Sequence, residues 1–79
     1  MSPTVFKIKN YRFFFFSKEE SRMHVHITCP EGETKFWLEP LIALANYKGL
    51  SMKMLNELQK IVEERQDAIK KAWKEHFRS

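Results

Sequence analysis

Two histidines, His24 and His26, stand two positions apart in the run Met23-His24-Val25-His26-Ile27 and are the residues best suited to chemistry. Successive side chains of a β-strand point to opposite faces, so both imidazoles would project from one face and their apolar neighbours from the other. Imidazole titrates near neutral pH, exchanges protons and binds metals. The pair is therefore a candidate for acid–base chemistry, for half of a metal site, or for the polar face of a half-buried strand.

A metal-independent ribonuclease would use such a pair directly. One imidazole would act as the base toward a 2′-hydroxyl group, and the other would act as the acid toward the leaving oxygen. Cationic side chains would stabilise the phosphate, and Arg12, Arg22 and Lys35 are the candidates. The catalytic residues predicted by this interpretation are His24, His26, Arg12 and Lys35.

A zinc site would need more than the two histidines, because tetrahedral zinc takes three or four ligands. Cys29 has the opposite strand parity and would point away from them. His76 or a carboxylate such as Glu33 would have to complete the set. No ligand spacing in the chain specifies such a site, so we expect no metal and no cofactor.

Alternating apolar and polar residues predict a meander of strands within residues 4–38 to position these histidines. Asn10 is the predicted turn residue between the first two strands, and Pro30-Glu31-Gly32 is the turn before the last. The second strand carries Phe13-Phe14-Phe15-Phe16, and strand alternation divides these rings between two faces. Both faces of this strand therefore need cover, from a wrapping helix or from a second subunit.

Two helices are predicted within residues 40–78. Pro40 suits the first position of a short helix, and Gly49 suits its end. Ser51 is the predicted N-cap of a second helix, whose apolar spacing continues to Phe77. With about 27 residues it would be about 40 Å long, roughly twice the length of a strand. It must either break or extend onto another subunit.

The turn between these helices also permits a DNA-binding interpretation. The apolar spacing around Gly49 is close to that of a helix-turn-helix. Lys53, Asn56 and Gln59 would then face DNA, since Asn and Gln suit adenine edges and Lys suits guanine or phosphate. Any two packed helices joined by a glycine turn give similar spacing, and Lys48 stands where an apolar contact is usual.

Length and composition describe one small folded domain, residues 1–79, with 43% hydrophobic residues. The single cysteine excludes an internal disulfide and indicates a reducing cytoplasm. No apolar run approaches the roughly 20 residues of a membrane span. The net charge of +4, from 14 Lys plus Arg against 10 Asp plus Glu, suits contact with nucleic acid or an acidic protein.

Five segments carry a further signal through their order and spacing. They are Pro3-Thr4-Val5-Phe6, Tyr11-Arg12-Phe13-Phe14-Phe15, His24-Val25-His26, Lys35-Phe36-Trp37-Leu38-Glu39-Pro40, and Ala72-Trp73 with His76-Phe77. In these the chain resembles, over nearly its whole length, the small bacterial domain-of-unknown-function family 4160. The resemblance implies a stand-alone protein without an established activity, often encoded beside another small protein in a toxin and antitoxin arrangement. Many relatives carry Pro-Pro before His-Val-His, where this chain has Arg22-Met23, so the loop geometry there does not carry over.

The fold that these observations predict is α+β. It has an antiparallel sheet of three or four strands, followed by a short helix and a long C-terminal helix packed on one face. The predicted function is a cytoplasmic interaction module of toxin–antitoxin type, acting through a small protein partner and nucleic acid, and a homodimer would bury the remaining aromatics. The alternatives are a ribonuclease-like enzyme using His24 and His26 and a helix-turn-helix DNA-binding regulator.

Overall fold

The chain folds as an antiparallel sheet followed by two helices, in a computed structural model that describes residues 4–16 and 21–77. The strands are β1 (Thr4–Ile8), β2 (Tyr11–Phe14), β3 (His24–Cys29), β4 (Gly32–Trp37) and β5 (Ala43–Lys48). The helices are α1 (Met52–Glu64) and α2 (Gln66–His76). Each strand pairs with its neighbour in sequence, so the sheet order is β1-β2-β3-β4-β5. The predicted α+β meander is confirmed, with one strand more than the sequence indicated.

The fifth strand corrects the prediction of a short helix before Gly49. β5 pairs antiparallel with β4 from Glu33 opposite Lys48 to Trp37 opposite Ala43. Apolar spacing over so few residues does not separate a helix from a strand, and a helix this short is unstable alone. Pairing with β4 gives its backbone groups the hydrogen bonds that they need. Strands therefore continue beyond residue 38, and Pro40 precedes a strand where a helix was expected.

Two turns fix the ends of these strands. Lys9, with φ of 55°, takes the left-handed position in the β1–β2 turn that the sequence assigned to Asn10. Gly49 ends β5 with φ of 78°, a conformation that favours glycine. A Cβ atom at Gly49 would also meet the carbonyl oxygen of Glu31, and one at Gly32 would meet the carbonyl oxygen of Lys48. The β3–β4 turn thus packs directly against the end of β5.

The predicted long helix breaks at Arg65. Ser51 is its N-cap as predicted, with the Met54 backbone N–H donating to Ser51 Oγ at 3.2 Å. Arg65 has φ of −107° and ψ of 12°, so α1 ends before it and α2 begins at Gln66. The break returns Ile69 and Trp73 to the core, where both are buried. The predicted helix length allowed either a break or an extension onto another subunit, and the helix breaks.

The core lies on one side of the sheet, between the strands and both helices. Its fully enclosed apolar side chains are Phe13, Val25, Phe36, Leu38, Leu58, Val62 and Ile69, and Phe15 and Ile27 are nearly so. None of the helices in the described ranges is long and apolar enough to cross a membrane.

The other side of the sheet is a surface of aromatic and basic residues, which we call the outer face. Strand register places on it Arg12, Phe14, His24, His26, Lys35 and Trp37, and Arg22 and Phe16 adjoin it. The predicted division of the phenylalanines is confirmed, because Phe13 and Phe15 belong to the core and Phe14 packs against Phe16 and His26. The buried residues of both helices belong to the core, and Trp73 on α2 also contacts His24 on the outer face. Within residues 4–16 and 21–77, only the end of α2 reaches toward the outer face.

Candidate functional site

Strand β3 holds both histidines on the outer face, as the sequence predicted. His26 pairs with Phe14 on β2 and with Lys35 on β4, and His24 pairs with Trp37 on β4. Val25 and Ile27 point the other way into the core, and Cys29 packs against its margin. The thiol is therefore turned away from the histidines.

His24 is an enclosed residue. Its side chain has 0% exposed area, and its Nδ1 lies 2.7 Å from the carbonyl oxygen of Arg22. Its ring centre lies 5.0 Å from that of Trp73 on α2 and 5.7 Å from that of Trp37 on β4. Edge-to-face contacts at these distances are favourable for aromatic rings. His24 therefore joins the outer face to the C-terminal helix.

His26 is half-buried and lies within a continuous row of rings. Its ring centre is 4.5 Å from that of Phe16, 5.5 Å from that of Phe14 and 5.0 Å from that of His24. The row runs from Phe16 through His26 and His24 to Trp37. Phe16 stands at its end with 45% of its side-chain area exposed. At Phe16 the outer face therefore presents aromatic surface to solvent, and His26 beside it is half-buried.

Three cationic heads lie over these rings. The Arg12 guanidinium carbon is 4.6 Å from the centre of the Phe14 ring. The Arg22 guanidinium carbon and Lys35 Nζ are 4.1 and 4.4 Å from the centre of the Trp37 ring. The ring quadrupole attracts a cation at such distances, so each head is held near the aromatic surface. Positive charge and stacking surface therefore occupy the same area.

Further charges border this area. Lys7 lies opposite Arg12 in the β1–β2 strand pair and projects from the outer face. Lys48 lies opposite Glu33 in the β4–β5 strand pair and projects from the same face. Strand parity also places Glu33 on the outer face, and Glu39 lies at its rim. The backbone carbonyl oxygen of Glu39 accepts a hydrogen bond from Arg22 Nε at 3.0 Å. Basic side chains thus outnumber acidic ones on the described outer face.

The structure brings the four predicted catalytic residues, His24, His26, Arg12 and Lys35, onto one face. The enclosure of His24 works against a two-histidine ribonuclease, because a ring without exposed area cannot exchange a proton with a substrate bound outside. His26 is the histidine of the pair that reaches the surface. The face is better suited to binding than to acid–base catalysis.

Metal binding finds no support in the geometry. Across residues 4–16 and 21–77, no group of three or more His, Cys, Asp or Glu side chains is placed to hold a metal ion. His76 stacks on Phe15 at 5.8 Å between ring centres, and Glu33 faces Lys48 across the β4–β5 pair. Neither joins His24 and His26.

The helix-turn-helix prediction is wrong, because its first helix is strand β5. Lys53, Asn56 and Gln59 lie on α1, away from the residues that α1 buries in the core. Lys53 and Asn56 are exposed, and the side-chain Nε2 of Gln59 lies 3.5 Å from Oε2 of Glu63. These three residues share a helix surface, but no first helix positions them on DNA.

Two shifted pKa values belong to a structural contact outside the outer face. Lys9 Nζ donates to Glu57 Oε2 at 3.1 Å and joins the β1–β2 turn to α1. That hydrogen bond and the charge of Lys9 lower the pKa of Glu57. Burial raises the pKa of the Tyr11 phenol, and the neighbouring Glu57 carboxylate raises it further. Both shifted groups belong to the contact between the first two strands and α1.

Trp37, Phe14 and Phe16 are site residues that sequence reasoning missed. Trp37 shares strand parity with Lys35, and Phe14 and Phe16 share it with Arg12, so the signal was present. For the phenylalanines this parity indicates a need for cover, since aromatic residues usually belong to a core. The contacts of Trp37 with Arg22 and Lys35, of Phe14 with Arg12 and of Phe16 with His26 place them in the site instead.

Comparison with known proteins identifies a family and no activity. Residues 10–74 match the model of the family described as Domain of unknown function (DUF4160). No curated protein and no solved structure matches the chain.

Proposed function

Since this chain belongs to the DUF4160 family, whose description gives no activity, we propose a function from the site itself: an interaction module that binds single-stranded nucleic acid on the outer face. The observation that carries the proposal is that the exposed Phe16 ring and the half-buried rings of His26 and Trp37 share one sheet face with three positioned cations. Neither feature alone would specify a nucleic acid.

Aromatic side chains on a sheet offer bases a surface for stacking. Stacking of this kind contributes about 1–3 kcal/mol per base and tolerates any sequence, because every base has a π-face. Phe16 supplies an exposed ring, and His26 lies beside it at 4.5 Å between ring centres. Three strands span about 10 Å, which accommodates the two or three stacked bases typical of sheet-based RNA-binding modules.

Cations beside the rings would bind the phosphate backbone of the same nucleic acid. Arg12, Arg22 and Lys35 are held over aromatic rings, within 4.1–4.6 Å of their centres. Arg12 lies over Phe14, whose ring centre is 5.2 Å from that of Phe16, so a base stacked on Phe16 would have a cation beside it. Phosphate contacts provide most of the nonspecific affinity for nucleic acid. The overall charge of +4 acts in the same direction at longer range.

Single strands suit this face better than duplexes. Base pairs in a duplex are stacked on each other, so their faces are not accessible to Phe16 or His26. Reading a major groove requires a helix or a two-stranded ribbon that enters it, and a five-stranded sheet is too broad. The proposal therefore concerns unpaired RNA or DNA.

The other predicted roles remain predictions of the sequence. The resemblance implies a protein partner from a neighbouring gene and a toxin–antitoxin arrangement, and the single cysteine indicates the cytoplasm. A ribonuclease activity that uses the predicted pair would have to proceed with His26 alone, because His24 has no exposed area, so we propose binding and not cleavage.

Replacing Phe16 with alanine is expected to weaken binding to a short single-stranded oligonucleotide by roughly 5- to 150-fold, the equivalent of one lost stacking contact. Phe16 is 45% exposed, so we expect the fold to persist, which circular dichroism would verify. Fluorescence anisotropy with labelled single-stranded RNA and DNA measures the affinity, and a duplex of the same sequence serves as competitor.

The matched control is Met52→Ala, which removes an exposed apolar side chain from α1, 63% exposed, without touching the outer face. It should bind like the unmodified chain. Equal affinity of the Phe16 variant and the control, or a preference for the duplex, would contradict the proposed function.

A further inference from the structure

The free edge of β5 is unusually apolar for the end of a sheet. In the described part of the chain five large apolar side chains are exposed, and four of them lie within residues 41–52: Leu41, Leu44, Tyr47 and Met52. Leu41 is 76% exposed and Tyr47 is 52% exposed. Leu44 and Tyr47 lie on β5 itself, whereas Leu41 precedes it and Met52 is on α1. Monomeric proteins rarely leave large apolar residues exposed on an open edge, because that edge also presents backbone N–H and C=O groups for pairing.

The opposite edge, β1, carries more positive charge than β5, and both edge pairs contain a register shift. Lys7 is exposed on β1, Lys9 follows it in the turn, and the Arg65 guanidinium lies 5.7 Å from the centre of the Phe6 ring. Lysines on an edge strand disfavour pairing with another chain. β5 has Lys48 at its last position as its one charged residue and contains no proline. β5 is therefore the less charged of the two sheet edges and the one better suited to pairing with another strand.

We propose that β5 pairs antiparallel with β5 of a second copy of this chain, which gives a dimer with a continuous sheet of ten strands. An extended strand can form backbone hydrogen bonds along a sheet edge, and the sequence of β5 is complementary to itself about a two-fold axis between Ala45 and Asn46. Leu44 then lies opposite the partner's Tyr47. The two copies of Lys48 lie at opposite ends of the interface, so no like charges meet.

The bulge in the β4–β5 pair supports this arrangement. Leu44 is opposite Phe36 and Tyr47 is opposite Thr34, with the register shift between them. Phe36 and Thr34 are buried on the helix side, so Leu44 and Tyr47 share that side although they are three positions apart. In the dimer the two Leu44–Tyr47 pairs would form one apolar cluster there, and apolar cross-strand pairs stabilise sheets.

The two-fold axis of such a dimer is perpendicular to the sheet, so both outer faces lie on the same side. If the proposed function holds, a single strand long enough to cross the interface would contact both faces and bind more tightly than a short one. The dimer itself does not depend on that function, and its test below uses no nucleic acid.

Sedimentation and light scattering of the intact chain test the dimer directly. We expect a mass of twice 9.5 kDa that falls toward 9.5 kDa on dilution. The double variant Leu44→Lys, Tyr47→Lys places like charges opposite each other in both cross-strand pairs, so its dissociation constant should rise by roughly 30-fold. Ala68→Lys adds a lysine at an exposed position of α2 and should leave the mass unchanged.

Amide hydrogen exchange of the unmodified chain keeps the test decisive if the double variant fails to fold. Protection of the β5 amides should increase with protein concentration, while protection in β1 should not. A monomer throughout the accessible concentration range would overturn the inference, and so would a dimer whose β5 amides exchange independently of concentration.

Discussion

Replacing His24 with alanine is expected to lower the free energy of unfolding by about 2–4 kcal/mol, the cost of deleting a large enclosed side chain. His24 has no exposed area and contacts Trp73 on α2 and Trp37 on β4. Its removal leaves a cavity between the outer face and the C-terminal helix. It also deprives the Arg22 carbonyl oxygen of a contact at 2.7 Å. Chemical denaturation followed by tryptophan fluorescence would measure the loss.

Two further variants separate the causes of that loss. His24→Phe keeps a ring for the contacts with both tryptophans and removes the Nδ1 atom, so it should recover part of the stability. His26→Ala, at a half-buried position, should cost less than about 1.5 kcal/mol. A His24→Ala variant as stable as the unmodified chain would show that His24 does not join the sheet to α2.

Neutralising the cations of the outer face should nearly remove binding of single strands. In the triple variant Arg12→Gln, Arg22→Gln, Lys35→Gln, affinity should fall about 100-fold at 0.1 M salt, because each phosphate contact contributes a factor of about five there. The slope of log affinity against log salt should become less steep by about two. Binding isotherms at several salt concentrations measure both quantities.

The matched control removes three charges of the same sign from the helices, Lys53, Lys60 and Lys71, which are all exposed. Lys53→Gln, Lys60→Gln, Lys71→Gln has the same net charge as the first triple variant and an intact outer face. Its affinity should fall by less than about tenfold, through long-range charge alone. If both triple variants lose affinity equally, net charge and not the outer face governs binding.

Local patterns predicted much of the fold because the forces behind them act locally. Strand parity placed His24 with His26 and divided the phenylalanines, since side-chain alternation is a property of the strand itself. Ser51 caps α1 through its own hydroxyl group, so a few residues suffice to identify it. The sheet meander followed from turn residues between alternating segments.

Longer-range packing decided what the sequence did not reveal. Residues 43–48 form a strand because β4 offers them an edge, although their own spacing is compatible with a helix. The break at Arg65 returns Ile69 and Trp73 to the core, and periodicity alone did not locate it.

The site depends on the same packing. His24 is enclosed by Trp73, which is far away in sequence, so its accessibility to a substrate could not be judged from strand parity. The cations over Trp37 likewise depend on how β3 and β4 are paired and how the chain enters β3. The candidate residues were predictable, but their accessibility was not.

A side-chain NMR titration tests the proposed binding of single-stranded nucleic acid to the outer face. With an unlabelled single-stranded oligonucleotide added to the labelled chain, the aromatic resonances of Phe16 and His26 and the indole N–H of Trp37 should shift in proportion to occupancy. Those of Lys53, Asn56 and Gln59 on α1 should remain in place. Shifts confined to α1, or no shifts at a salt concentration low enough for phosphate binding, would contradict binding of nucleic acid on the outer face.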